Sequence, residues 1–226
     1  MPNDLFYALQ IIRVFPVFSY AKIVIFLNNL KIFMLICGID EAGRGPLAGP
    51  VVAAAVIISK ENMIQGIKDS KKLTENLREL FYELITQNAI EYVIRTIDNC
   101  IIDQINILRS TMLAMEESIK GLKKKPDKYI IDGNYFRLRG DFQKHINYET
   151  LIKGDEKYYE ISCASILAKV TRDRLMEEYH IKYPQYGFDT NKGYGTKYHI
   201  DSIRKYGLCP IHRKTFVKNI LTETNV

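Results

Sequence analysis

The stretch from Leu35 to Ser59 constrains the fold most, because it places two carboxylates and a glycine-rich loop between two apolar runs. Neither run, 35–39 nor Val51–Ile58, alternates polar with apolar residues, which is typical of strands buried on both faces. Glycines and prolines fill the connection, so Asp40 and Glu41 are predicted to lie where the first strand ends. A dinucleotide-binding fingerprint needs a helix directly after its glycines, and the strand-like run that follows here excludes it.

This acidic pair has two interpretations. Asp40 and Glu41 could form a polar strand end that leads into a solvated loop, which is the ordinary role of such residues. The loop, however, contains Gly43 and Gly45, which permit left-handed backbone or close approach to a ligand. Between them lies Arg44, whose guanidinium suits phosphate or a planar hydrogen-bonding group. These neighbours favour a functional site.

Length and composition limit the number of domains, the type of partner and the chemistry of the cysteines. The chain has 226 residues, a net charge of +6 and a pI of about 9.0. It is long enough for one domain with a sizeable core, and its charge is compatible with polyanion binding. The 4 cysteines show no CxxC spacing. Neither a zinc site nor a disulfide framework is therefore indicated, and we expect reduced thiols in a cytoplasmic protein.

Residues 1–33 are predicted to be an N-terminal extension outside the catalytic fold. Polar residues interrupt the apolar segment Leu5–Phe33, which leaves no run of about 18 residues for a membrane helix, and no signal-peptide cleavage site is evident. The segment could reflect a start codon assigned upstream of the true one, a peripheral helix or an anchor on a membrane surface.

Further strands and helices follow from hydrophobic periodicity. The predicted strands are Glu91–Ile97, Tyr129–Ile131 and Ile146–Ile152. The predicted helices are one after the N-cap Thr74, then Asp103–Leu122, Ser162–His180, and Lys197–Lys205 with Thr196 as its N-cap and Gly207 as its stop.

Acidic residues follow three of these strands, and strand ends are where the active sites of open α/β sheets collect. Besides the first pair they are Asp132 and Asp155. Four carboxylates that converge would repel one another unless cations lay between them. Carboxylate oxygens suit Mg²⁺ or Mn²⁺, and two such ions could activate a water and stabilise a leaving oxygen during phosphodiester hydrolysis.

The segment from Tyr183 onward mixes aromatic residues, glycines and lysines, which suits a nucleic-acid surface. Asp173 lies between two arginines and is predicted to form a surface or structural ion pair. The 4 histidines show no metal-ligand spacing and are predicted to be surface or packing residues.

The string from Gly38 to Pro50, Gly-Ile-Asp-Glu-Ala-Gly-Arg-Gly-Pro-Leu-Ala-Gly-Pro, resembles the first motif of bacterial ribonuclease HII, the type 2 ribonuclease H. Six further strings follow in the family's order, and the resemblance covers roughly Met34 to Phe216. They are Asp69-Ser70-Lys71-Lys72-Leu73, Ile131-Asp132-Gly133-Asn134, Lys153-Gly154-Asp155, the string from Ala164 to Asp173, Gly193-Tyr194-Gly195-Thr196-Lys197, and Cys209-Pro210-Ile211-His212-Arg213.

This resemblance implies a ribonuclease H-like α/β fold within residues 34–220: a mixed five-stranded sheet flanked by helices, with a C-terminal helical extension. It implies that the four carboxylates are catalytic and bind two Mg²⁺ or Mn²⁺ ions. By the same resemblance, other residues bind substrate. Gly43, Arg44, Gly45 and Tyr194 would read the ribonucleotide, while Ser70, Lys71 and Lys72 would contact phosphate.

The implied reaction is cleavage on the 5′ side of a ribonucleotide, in RNA/DNA hybrids or in duplex DNA that contains single ribonucleotides. We expect a monomer without an obligatory protein partner and without membrane association. Two alternatives remain open: a nucleic-acid-binding protein that does not cut, and a different nuclease or integrase-like enzyme on the same fold.

Overall fold

A mixed sheet of five strands lies at the centre of the fold, in the order β3-β2-β1-β4-β5. The computed structural model describes residues 34–59, 61, 63–67, 73–137 and 146–222. The predicted extension, residues 1–33, lies outside them. In the described part of the chain, no helix is long and apolar enough to cross a membrane. The strands are β1 (Ile36–Ala42), β2 (Val51–Ile57), β3 (Glu91–Ile97), β4 (Lys128–Asp132) and β5 (Tyr148–Leu151).

The first three strands form an antiparallel meander, whereas β4 and β5 continue the sheet in parallel to β1. Helices cover both faces and continue beyond the sheet as a C-terminal extension. They are α1 (Glu75–Asn88), α2 (Asn99–Ile105), α3 (Ile107–Lys120), α4 (Gly154–Lys157), α5 (Tyr159–Lys182), a 3₁₀ turn (Pro184–Tyr186), α6 (Phe188–Asn191), α7 (Lys197–Tyr206) and α8 (Lys218–Thr222). The predicted fold class is therefore confirmed.

Alternate residues of β2 enter two different cores. Ala53 and Ala55 pack against α3 on one face, while Ala54 and Val56 pack against α5 on the other. All of β2 is buried, which is why its sequence shows no polar alternation. Helix α5 lies very close to the sheet, since a Cβ on Gly38 would be 2.1 Å from the backbone carbon of Glu160.

The caps predicted for two helices are confirmed. The Thr74 hydroxyl accepts from the Leu77 amide, and the Thr196 hydroxyl accepts from the His199 amide. Gly207 ends α7 with a φ of 76°, in the left-handed region that glycine tolerates.

Three of the predicted elements have clearly different bounds in the structure. The single helix Asp103–Leu122 is divided into α2 and α3 at Asn106, which has a φ of 67° and whose side chain caps α3; asparagine tolerates both roles. Strand Ile146–Ile152 is shortened, because β5 pairs only along the short β4 and Lys153, with a φ of 56°, follows. Helix Ser162–His180 is longer at both ends and occupies Tyr159–Lys182.

Candidate active site

Three of the four predicted acids line one cleft at the carboxyl ends of β1 and β4. In the parallel pairing of these strands Ile39 lies opposite Ile131, so Asp40 and Asp132 each come one residue later on adjacent strands. Glu41 follows on β1. The cleft is lined by Asp40, Glu41, Ala42, Gly43, Arg44, Gly45, Arg78, Asp132, Ser165, Lys169, Arg172 and Tyr194. Acidic residues, the Gly43–Gly45 loop and basic residues thus line the same cleft.

The acids of β1 lie in a strained electrostatic environment. Asp40 is only 5% exposed, and burial, followed by repulsion from Glu41 and Asp132, raises its pKa well above the usual value. Burial also raises the pKa of Glu41, although the nearby Arg44 guanidinium opposes this. The Glu41 amide donates to Asp40 Oδ1 at 2.7 Å, and Arg44 Nη1 donates to Glu41 Oε1 at 3.2 Å. A cation in the cleft would relieve this repulsion.

Asp155 does not line this cleft. It does not directly end a strand, as the sequence had suggested, but lies in the short helix α4, where it is 1% exposed. The preceding residue connects it to the site, because the Gly154 amide donates to Asp132 Oδ1 at 2.7 Å. The structure therefore brings three acids to the lining of the cleft, and the fourth lies in α4 next to Gly154, which contacts Asp132.

The donor set of the cleft suits a hard divalent cation, since it consists of carboxylate oxygens. Among residues within the described ranges, no group of three or more His, Cys, Asp or Glu side chains has the spacing of a finished metal site. Like charges repel, so these acids are not expected to close on one another before a cation binds. The residues present thus fit a cation in their chemistry, with Asp40, Glu41 and Asp132 as the candidate ligands.

The loop after β1 forms a wall of the same cleft. Gly43 is buried with a φ of 95°, and a Cβ there would meet Arg172 Nε at 2.1 Å, so only glycine fits. Arg44 and Gly45 are exposed. A Cβ on Gly45 would lie 3.6 Å from Cε1 of Tyr194, which places the ring of that tyrosine against the loop.

Two buried arginines support this wall from behind. Arg213 is 0% and Arg172 1% exposed. Arg172 donates to the carbonyl oxygens of Pro50 at 3.0 Å, Lys192 at 2.9 Å and Ala48 at 3.2 Å. It therefore ties the loop after β1 to the segment that carries Tyr194.

A pair of buried histidines lies behind Tyr194. His199 Nε2 and His212 Nε2 are 3.0 Å apart, and His199 Nδ1 is 2.9 Å from the Tyr194 carbonyl oxygen. The Cys209 amide donates to His212 Nδ1 at 2.9 Å, so the neutral His212 carries its proton on Nε2 and donates to His199. His199 then donates to Tyr194 from Nδ1. Both histidines are packing residues, as the sequence predicted.

Several residues of the cleft were missed by the sequence analysis. Ser165, Lys169 and Arg172 lie four and three residues apart along α5, on one face of the helix. All three belong to the string from Ala164 to Asp173, and their place in that motif was the available signal. The Ser165 hydroxyl contacts Asp40. Arg78 from α1 gave no such signal, because only the packing of α1 on α5 brings it to the cleft.

The remaining predictions from the sequence concern Asp173 and the phosphate contacts. Asp173 forms the expected ion pair, but with Lys169, whose Nζ lies 2.6 Å from Asp173 Oδ1, rather than with either neighbouring arginine. The predicted phosphate contacts Ser70, Lys71 and Lys72 lie outside the described residues.

Comparison with known proteins assigns the family. The ribonuclease HII family profile matches residues 37–220. A ribonuclease HII of Endomicrobium trichonymphae is 50% identical over 198 residues, which are 87% of this chain and 92% of that protein. The crystal structure of ribonuclease H2 from Pyrococcus horikoshii OT3 has a TM-score of 0.68 and 28% identity, and the match covers 84% of this chain and 98% of that one.

A ribonuclease HII of Archaeoglobus fulgidus, solved in a complex with PCNA, gives a TM-score of 0.67 at 26% identity, with 79% of this chain and 93% of that chain covered. By sequence and by fold, the chain belongs to the ribonuclease HII family of metal-dependent endonucleases, which cleave the RNA strand of RNA/DNA hybrids.

Proposed function

We propose that this enzyme cuts on the 5′ side of a ribonucleotide, both in RNA/DNA hybrids and at single ribonucleotides within duplex DNA, and leaves 3′-hydroxyl and 5′-phosphate ends. One observation carries the proposal. The cleft that holds Asp40, Glu41 and Asp132 is walled by the Gly43–Gly45 loop and Tyr194. Acids for hydrolysis and groups suited to reading a sugar therefore face the same space.

Asp40, Glu41, Asp132 and Asp155 would be the ligands of two Mg²⁺ or Mn²⁺ ions. Asp155 follows Gly154, whose amide donates to Asp132 Oδ1. When bound, such ions lower the pKa of water and offset the charge on a phosphodiester. The cleft lining includes no histidine, so we assign no side-chain base. Arg44, Arg78 and Lys169 supply positive charge for the sugar-phosphate backbone.

Specificity for RNA would come from the wall of the cleft. The 2′-hydroxyl distinguishes a ribonucleotide from a deoxyribonucleotide, and it can both donate and accept a hydrogen bond. The exposed backbone of Arg44 and Gly45 can bond to it, while the Tyr194 ring, 45% exposed, offers a face to the sugar or base.

We further propose that residues 34–220 form the catalytic domain, with residues 1–33 outside it, and that the enzyme acts as a monomer in the cytoplasm without an obligatory protein partner. Its basic charge of +6 supports a nucleic-acid substrate. Ser70, Lys71 and Lys72 remain proposed phosphate contacts.

A labelled DNA duplex with one ribonucleotide tests the function. Wild-type enzyme should cut it 5′ of the ribonucleotide with Mg²⁺ or Mn²⁺ and not with EDTA. Asp132→Asn should abolish cutting without unfolding the protein, because charge is lost at nearly constant shape, whereas the exposed control Asp189→Asn should cut normally. Full activity of Asp132→Asn would refute the metal assignment.

A second variant tests recognition. Tyr194→Ala should reduce the preference for the ribonucleotide duplex over the all-DNA duplex, measured as a ratio of dissociation constants in EDTA. Tyr92, on the edge strand β3 and 39% exposed, provides the matched control Tyr92→Ala. An unchanged preference in Tyr194→Ala would remove this residue from the recognition set.

A further inference from the structure

Within the described part of the chain, the guanidinium of Arg213 donates hydrogen bonds to backbone carbonyls only, and it lies over the ring of Phe216, 5.2 Å from the ring centroid. It donates to the carbonyl oxygens of Gly43 at 2.6 Å, Arg44 at 3.0 Å, Gly49 at 2.9 Å and Pro50 at 3.1 Å. No side chain among the described residues forms an ion pair with it. A fully buried cation therefore holds four backbone carbonyls of the loop after β1.

This arrangement carries an electrostatic cost. Burial, followed by repulsion from Arg172, lowers the pKa of Arg213 to about 9. Apolar residues of similar volume often stabilise a core as well as buried charges do. Packing alone therefore does not account for a second buried arginine beside the first.

The geometry of the peptide group shows how the hydrogen bonds to these carbonyls orient the neighbouring amides. The carbonyl of one residue and the amide of the next point in opposite directions across a trans peptide, and the described chain contains no cis peptide. With the carbonyls of Gly43 and Arg44 turned towards Arg213, the amides of Arg44 and Gly45 point away from it. Both residues are exposed where they line the cleft, while Gly43 is buried.

The two amides are available to a ligand. Neither donates a hydrogen bond to another residue in the described ranges. Two successive amides that point to one side form a concave site for an oxygen that carries negative or partial negative charge. Under the proposed function, that oxygen would belong to a ribose hydroxyl or to the adjoining phosphate.

We propose that Arg213 is a positioning residue that aims the Arg44 and Gly45 amides into the cleft and thereby sets the preference for a ribonucleotide. It acts through the loop and touches no substrate. The inference rests on the proposed function, because it assumes that the loop reads the sugar. The planar fork of arginine is essential to it, since lysine keeps the charge but cannot hold two adjacent carbonyls in fixed directions.

The test compares Arg213→Lys and Arg213→Met with wild type. Dissociation constants are measured in EDTA for a duplex with one ribonucleotide and for the same sequence in all-DNA form. We expect the ratio between the two to fall by at least about fivefold in both variants, the contribution of roughly one hydrogen bond. Affinity for the all-DNA duplex should stay within about twofold. Arg174→Lys is the matched control and should keep the wild-type ratio, because Arg174 is a partly exposed arginine of α5 that pairs with Glu79 and Glu83.

Each outcome decides a different point. If wild type shows no preference for the ribonucleotide duplex, the proposed function fails and this inference fails with it. If wild type discriminates and folded Arg213→Lys discriminates equally, only the inference is overturned. If neither variant folds, ¹⁵N-labelled wild type decides: the Arg44 and Gly45 amide signals must shift with the ribonucleotide duplex and not with the all-DNA duplex, and unshifted signals overturn the proposal.

Discussion

Asp40→Asn is predicted to stabilise the metal-free enzyme while abolishing cleavage. Asp40 is 5% exposed, and burial together with repulsion from Glu41 and Asp132 raises its pKa well above the usual value. Asparagine has nearly the same shape and no charge. Its effects on stability and on activity should therefore have opposite signs.

The size of the stabilisation follows from two terms. Two unit charges about 4 Å apart repel by about 4 kcal/mol at an effective dielectric of about 20, and the repulsion falls with distance. Asparagine can still accept a hydrogen bond from the Glu41 amide, which lies 2.7 Å from Oδ1 of Asp40 in the wild type. Without the charge of the carboxylate this hydrogen bond is weaker by about 1 kcal/mol. The difference between these terms sets an upper limit of about 3 kcal/mol on the net gain in unfolding free energy.

Urea unfolding in EDTA and in Mg²⁺ measures both effects. A cation that binds only the folded protein stabilises it by about 2.7 kcal/mol at a concentration of about 100 times its Kd. Wild type should gain stability on addition of Mg²⁺, and Asp40→Asn should gain much less.

Asp173→Asn is the matched control, because this buried acid is paired with Lys169 at 2.6 Å. It should be destabilised in EDTA and should still be stabilised by Mg²⁺. A destabilised Asp40→Asn, or one that responds to Mg²⁺ as wild type does, would refute the electrostatic account of the cleft.

Three further predictions concern the fold and the chain start. Gly38→Ala should leave little folded protein by circular dichroism, because its Cβ would lie 2.1 Å from the Glu160 backbone; a native melting curve would contradict this close packing. Burial and the nearby His199 lower the pKa of His212 from 6.5 to about 4. On acidification, the unfolded chain therefore protonates this histidine at a higher pH than the folded protein does. Stability should therefore fall as pH drops from 6.5 towards 4, and a His212→Gln variant with an equally steep fall would refute the assignment. Enzyme that begins at Met34 should keep full cleavage activity, and mass spectrometry of the native N-terminus will show whether residues 1–33 are translated.

Local sequence predicted much of this fold. The uninterrupted apolar run in β2 indicated a strand buried on both faces, since strands with one solvated face alternate. Thr74 and Thr196 indicated helix starts, because a hydroxyl that accepts from the third following amide is a local interaction. The break at Asn106 was missed, because the apolar periodicity continues across it and only backbone conformation separates the helices.

The acids and the Gly43–Gly45 loop were also visible in the sequence, after predicted strands and as parts of a family's motifs. Which acids share a cleft was decided by the parallel pairing of β1 with β4. That pairing aligns Asp40 with Asp132 and leaves Asp155 in the next helix. The support for the loop was likewise a property of tertiary structure, because Arg213 lies 170 positions from Gly43. Sequence patterns report which groups a segment carries, whereas contacts between distant segments determine the direction in which those groups point.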